Sequence, residues 1–141
     1  MELRKVIEEI EALNCKVALL DYLETKGRYL FVNNQHFIFL RSDTTDIEKI
    51  NILLHEKHHL LNDDSHNSLA HIDTFSQRIE TRAEKGRILD FMSLINSEYP
   101  IDEQFNYLDY LKNAGIPSTY ELYVQEIATK FFKENKKNNI I

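Results

Sequence analysis

The chain has one cysteine, Cys15, so no internal disulfide can form, and no second thiol stands at the spacing of a thiolate metal site. This usage suits a reducing compartment and makes Cys15 a small buried hydrophobe. Glycine and proline are equally scarce, at three and two residues, which argues against low complexity and disordered linkers. Long hydrophobic runs are missing too. No stretch approaches the roughly 18 apolar residues of a membrane span, and the opening "MELRKVIEEIEAL" sets charges into every turn, unlike the apolar centre of a signal peptide. The expected location is the cytoplasm, away from membranes.

Positive charge is in deficit. Lysine and arginine total 17 against 23 acidic residues, a formal net charge of -6, which removes the global attraction that most nucleic-acid binders use. A basic protein is the more natural partner than nucleic acid itself. The "KFFKENKK" stretch near the C-terminus is too short to act as a nucleic-acid arm.

With 43% hydrophobic and 28% charged residues in 141 positions, the chain is expected to fold as a single domain over 1–141, with a core over about 1–97 and a helical extension over about 101–135. Leu3, Val6, Ile7, Ile10 and Leu13 recur at helical spacing and predict a first amphipathic helix. "CKVALLDYL" is open between a continued helix and a short buried strand. "RYLFVNNQHFIFL" reads as two antiparallel strands turning at Asn33-Asn34, residues that tolerate left-handed backbone. Thr45 with Glu48 has the form of a capping box, and Ile47, Ile50, Leu54 and Leu61 mark one apolar face of the helix that follows.

Further helices are predicted over about Asp73–Asn96, ended by Tyr99-Pro100, and over about 102–113 and 119–134. Ile72, Phe75, Ile79 and Ala83 form the expected face of the first of these, which Gly86 weakens slightly. In the later helices, Gly115 suits a C-terminal cap and Ser118 with Glu121 a second capping box, beyond which the tail frays. Phe105, Tyr107, Leu108, Tyr110 and Leu111 read as a core-facing stripe, not a base-stacking platform, because no basic residues interleave with them.

The chemistry concentrates in "NILLHEKHHLLNDD", residues 51–64. In a helix His55 and His59 stand one turn apart and point the same way, so their imidazoles can grip one metal ion. Glu56 lies about 100° around the helix, placed to lean over a water rather than to ligate. This HExxH spacing belongs to zinc peptidases: zinc with three protein ligands keeps an open position for a water whose acidity it raises, and Glu56 takes the proton as general base. Glu80, in the next helix beside the small Ala83, is the favoured third ligand, with His66 and His71 as competitors. His58 is expected to be structural or at the surface. Asp63-Asp64 read as a solvated helix stop, since no calcium-loop spacing follows. A bare HExxH is more often a solvated helix face than a metal site, and here the helix caps and the second helix raise the odds.

With "LLHEKHH" followed by an acidic loop and "RIETRAEKGRILDFM", the sequence resembles the ImmA/IrrE family of metallopeptidases, small cytoplasmic enzymes often encoded by phages and mobile elements. The specific element is E-x-x-A, Glu80 to Ala83, and the likeness covers roughly residues 10–95. It implies an α+β fold: a zincin-like core with the HExxH helix, a small sheet of about three strands, antiparallel or mixed, that includes "CKVALL", and C-terminal helices. It also implies His55, His59 and Glu80 as zinc ligands with Glu56 as base, and an edge strand for an extended substrate. The implied activity is cleavage or inactivation of a cognate helix-turn-helix repressor in a bacterial host. Two positions depart from the pattern. Lys57-His58 stand where relatives carry a smaller pair ending in glycine, and Gly86 where an alanine or a bulkier residue is usual.

The expectation is therefore a zinc-dependent endopeptidase with one protein substrate and His58, His66 or His71 as candidates to stabilise the oxyanion. The alternative is a non-catalytic protein that inactivates a repressor or host protein by occupancy. A plain helical protein with surface histidines is the third reading.

Overall fold

The computed structural model describes residues 2–62 and 73–141, with the side chains of residues 73–76 excepted. It is an α+β structure. Helix α1 (Leu3–Glu11) leads to β1 (Cys15–Leu20), the hairpin β2 (Gly27–Val32) and β3 (Gln35–Arg41), then helices α2 (Asp46–Leu61), α3 (Asp73–Glu98), α4 (Tyr107–Asn113) and α5 (Glu121–Lys137), with a 3-10 turn at Ser118–Tyr120. Tertiary contacts gather into two units, Glu2–Arg87 and Ile88–Ile141, that divide inside α3. Among the described residues no helix is long and apolar enough to cross a membrane.

In the N-terminal unit the sheet is mixed, in the order β1-β3-β2. β1 runs parallel to β3, pairing Cys15 with His36 and Leu20 with Arg41, whereas β2 is antiparallel to β3, pairing Gly27 with Leu40 and Val32 with Gln35. "CKVALL" is therefore a strand, not an extension of α1. Asn14 ends the preceding turn with φ 62°, a left-handed conformation that stops the helix and that asparagine accepts at low cost. Asn33 (φ 52°) and Asn34 (φ 61°) take the left-handed pair that a tight hairpin requires.

The link from β3 to α2 is held by hydrogen bonds to its carbonyls. Thr44 Oγ1 donates to Arg41 O at 2.8 Å, and the buried Lys49 reaches back from α2 to donate to Ser42 O at 3.0 Å and to Thr44 O. Thr45 caps α2, accepting from Glu48 N at 3.2 Å, and the Glu48 carboxylate reaches back to the Thr45 hydroxyl at 3.3 Å and to the Thr45 backbone, while it also pairs with Lys26 at 2.6 Å. The buried face of α2 also differs from the expected stripe. Ile50, Leu53 and Leu54 are in the core, while Ile47 and Leu61 are exposed at the helix ends. Val6 and Ile10 of α1, Ile38 and Leu40 of β3, Cys15 and Ala83 make up the rest of this unit's apolar core. Burial, followed by the negative charges of Glu56 and Glu11, pushes the Cys15 thiol up to about 11, so it is inert as a nucleophile.

In the C-terminal unit Ile88, Phe91 and Met92 of α3 are buried, as are Ile101, Tyr110, Leu111, Ile116 and Val124. Phe91 and Tyr110 stack with centroids 5.2 Å apart. Of the expected stripe, Tyr110 and Leu111 are buried but Leu108 is exposed. α4 begins later than its pattern suggested: Asp102 first closes a turn by accepting from Gln104 N, and Asn106 then caps α4 by accepting from Asp109 N at 3.1 Å. The Ser118–Glu121 capping box does not form, because residues 118–120 are already a 3-10 turn and no side chain caps either segment. Gly115, at φ 66°, closes α4 as expected, with Ile116 N bonding to Leu111 O at 2.9 Å. The tail is more ordered than expected, since α5 continues to Lys137 and Asn139 closes it at φ 56° while Ile140 N bonds back to Asn135 O.

Asn135 is the polar anchor of this unit. It is 4% exposed, and its Nδ2 donates to Asn96 Oδ1 at 2.7 Å and to Ile101 O at 3.0 Å, while Ile101 N donates to the same Asn96 oxygen. The end of α3, the segment after Pro100 and α5 thus share one network. Replacing Asn135 by alanine strands the Ile101 carbonyl and leaves the Asn96 oxygen with the Ile101 N–H alone, so Asn135→Ala should cost about 1–3 kcal/mol in urea unfolding, against no more than about 0.5 kcal/mol for the exposed Asn138→Ala.

Candidate metal centre

The site is assembled from α2 and the part of α3 that lies in the N-terminal unit. One helical turn separates His55 from His59, and their ring centroids stand 4.8 Å apart at 69°. The two Nε2 atoms approach to 3.1 Å. From α3, Glu80 brings one carboxylate oxygen to 3.0 Å from His55 Nε2 and the other to 3.0 Å from His59 Nε2. His55, His59 and Glu80 form the group, among the described residues, that can hold a metal ion, with their ligand atoms all within 4.8 Å of one another. Three lone-pair donors converging this closely repel one another unless a cation, a proton or a metal ion, lies between them.

The surrounding electrostatics follow. Burial opposes a charge on His55, yet the hydrogen bonds from Glu80 and Glu84, reinforced by the negative charges of Glu56 and Glu84, outweigh it and raise the imidazole to about 9. The hydrogen bonds of His55 and His59 hold the Glu80 carboxyl well below the usual carboxylate range. Glu56, half-buried on α2, behaves oppositely. Its burial raises its pKa more than the charges of His55 and His59 lower it, and Glu80 adds a further upward push.

Glu84 was not singled out by its sequence position. It lies one turn beyond Glu80 on α3, and its Oε1 meets His55 Nδ1 at 2.5 Å, on the ring face opposite the converging donors. Its Oε2 accepts from Arg87 Nη2 at 2.9 Å. Burial alone would raise the Glu84 carboxyl, but the His55 hydrogen bond and the Arg87 charge bring it below the ordinary value. The only sequence signal for this role is the spacing of two glutamates four apart on one helix face, a pattern common to many solvated helices.

His58 points elsewhere. A Cβ on Gly86 would overlap the imidazole of His58, with Cδ2 at 2.6 Å and Cε1 and Nε2 nearer still. The glycine of α3 is thus the space that the His58 ring fills, which gives Gly86 a packing reason beyond its cost to the helix. Lys57 is 26% exposed and reaches Glu9 of α1 at 3.7 Å. His66, His71, Ile72 and Asp63-Asp64 lie outside the described residues, as does the side chain of Phe75.

No protein-family model, curated protein or solved structure matches the chain, so the reading of this centre stands on its own residues.

The His58–Gly86 contact is open to a double-mutant cycle. Gly86→Ala should cost about 1–3 kcal/mol in chemical unfolding, as overpacking does, despite the better helix propensity of alanine. In a His58→Ala background the same change should be neutral or stabilising, because the clash is gone while the propensity gain remains. Equal effects in both backgrounds would show that the two side chains are not coupled.

Proposed function

We propose that the chain is a zinc-dependent endopeptidase that acts on one specific protein. The convergence of His55 Nε2, His59 Nε2 and the Glu80 carboxylate carries this reading. Tetrahedral bonds of about 2.0–2.1 Å set neighbouring donors roughly 3.3 Å apart; here the two imidazole nitrogens stand 3.1 Å apart, each has one Glu80 oxygen at 3.0 Å, and one ligand atom from each residue falls within a span of 4.8 Å. Two imidazoles and one carboxylate also make a ligand set characteristic of catalytic zinc, three protein donors with a position left for water or substrate.

Zinc, when bound, would supply Lewis acidity that activates water near neutral pH and polarises a peptide carbonyl. The chain's own residues do the rest. Glu56 stands one position from His55 and carries a carboxyl whose affinity for protons is raised by burial, a property suited to a base that takes a proton from the attacking water and returns it to the leaving amine nitrogen. Both β1 and β2 lie at edges of the sheet, and an extended peptide can add to such an edge through main-chain hydrogen bonds.

The substrate we propose is a helix-turn-helix repressor in a bacterial cytoplasm. The resemblance of "LLHEKHH" and "RIETRAEKGRILDFM" to the ImmA/IrrE pattern supports it, and so does the net charge of -6, which suits an encounter with a basic DNA-binding protein.

Elemental analysis of the purified protein should return one equivalent of zinc for the wild type and none for His55→Ala or Glu80→Ala; zinc retained by both variants would remove this ligand set. Glu56→Gln should keep the zinc and lower the cleavage rate of a repressor encoded nearby by about 10²–10⁴-fold, read by mass spectrometry of the products. A repressor still inactivated in full by Glu56→Gln would assign the protein to binding by occupancy instead.

A further inference from the structure

We infer that Glu84 is a positioning residue for the metal centre: it fixes the ring of His55 so that Nε2 faces the other donors, and Arg87 holds Glu84 in place. The inference rests on the metal reading above and adds to it a second tier of residues. An imidazole that ligates through Nε2 must carry its proton on Nδ1, and a hydrogen bond acceptor at Nδ1 selects that tautomer and stops the ring from turning. Glu84 Oε1 is such an acceptor at 2.5 Å.

The arrangement is built rather than incidental. The side chains of Glu84 and Arg87 are 16% and 7% exposed, so neither samples solvent freely. The two carboxylate oxygens are divided between tasks, one on His55 Nδ1 and the other on Arg87 Nη2. Arg87 stands one turn along the same helix, so the pair keeps its geometry whenever α3 is folded. Glu80 and Glu84 are also one turn apart on α3, as His55 and His59 are on α2, which lets one helix offer both a ligand and the orienter of the ligand opposite.

Charge matters as well as position. A carboxylate facing Nδ1–H makes the imidazole a better electron donor through Nε2, whereas a neutral amide can accept the same hydrogen bond without that effect. Glu84→Gln therefore separates charge from shape. Glu48 supplies the control, since it is 19% exposed and paired with Lys26 in the same unit, and Glu48→Gln should alter stability without reaching the metal.

The experiment is a competition titration of the intact chain with zinc against a chromophoric chelator, for wild type, Glu84→Gln, Glu84→Ala and Glu48→Gln, beside proton NMR of each protein loaded with cobalt(II). Zinc affinity should fall about 10–100-fold in Glu84→Gln, at least as far in Glu84→Ala, and stay within about twofold of wild type in Glu48→Gln. In the cobalt-loaded wild type the paramagnetically shifted ring N–H of His55 should be protected from solvent exchange; in Glu84→Ala it should exchange quickly, with the His59 ring as internal reference. Equal zinc affinity and unchanged exchange in the Glu84 variants would overturn the inference and leave the metal site intact. A wild type that takes up neither zinc nor cobalt would overturn the metal reading, and this inference with it.

Discussion

Everything proposed for this chain depends on how closely α2 and α3 approach. Two of the converging donors belong to one helix and the third to the other, so the cluster exists only while the two backbones lie near enough for a glutamate to span the gap. Small residues make that approach: Ala83 is 1% exposed, and Gly86 leaves room for the ring of His58. On α2, Leu53 and Leu54 are buried immediately before His55, so the histidines emerge at the edge of a packed core rather than from a free helix. The buried Lys49 fixes the other end, tying the start of α2 to the loop that leaves β3.

The charges around the centre balance in a simple way. Glu56, Glu80 and Glu84 contribute three negative charges when ionised, Arg87 contributes one positive charge, and a divalent ion would supply the remaining two. Without such an ion the balance falls to protons, which is why His55 is raised to about 9 while Glu80 and Glu84 are lowered. Buried charge is tolerated only when it is matched in this manner. The same accounting places Glu80 beside Glu56 although its charge disfavours ionisation of Glu56.

Much of this was legible in the sequence where the signal is local. The spacing of His55 and His59, the Asn33-Asn34 turn and the Thr45 cap each rest on a few adjacent residues, and each has the expected geometry. Readings that needed tertiary knowledge fared differently. "CKVALL" was open between helix and strand until the left-handed Asn14 and the pairing with β3 settled it. Leu53 is buried in place of Ile47 and Leu61, which lie exposed at the two ends of α2. The Ser118–Glu121 pattern matched a capping box, but a 3-10 turn had already formed there. Glu84 was invisible for a deeper reason: its partner lies 29 positions earlier in the chain, and only the register of one helix against the other brings them together. That register also brings His58 onto Gly86, so a large residue in one place is matched by a small one in the other.

The three donors differ most in their exposure. His55 and His59 are 14% and 12% exposed, whereas Glu80 is 58% exposed. Such a centre has a covered side and an open one: the imidazoles are enclosed by their surroundings, and the carboxylate faces solvent. An ion entering such a site would meet Glu80 first, and a chelator would reach Glu80 before either ring. All three donors would be needed to hold an ion, yet only the glutamate of the three stands open to solvent.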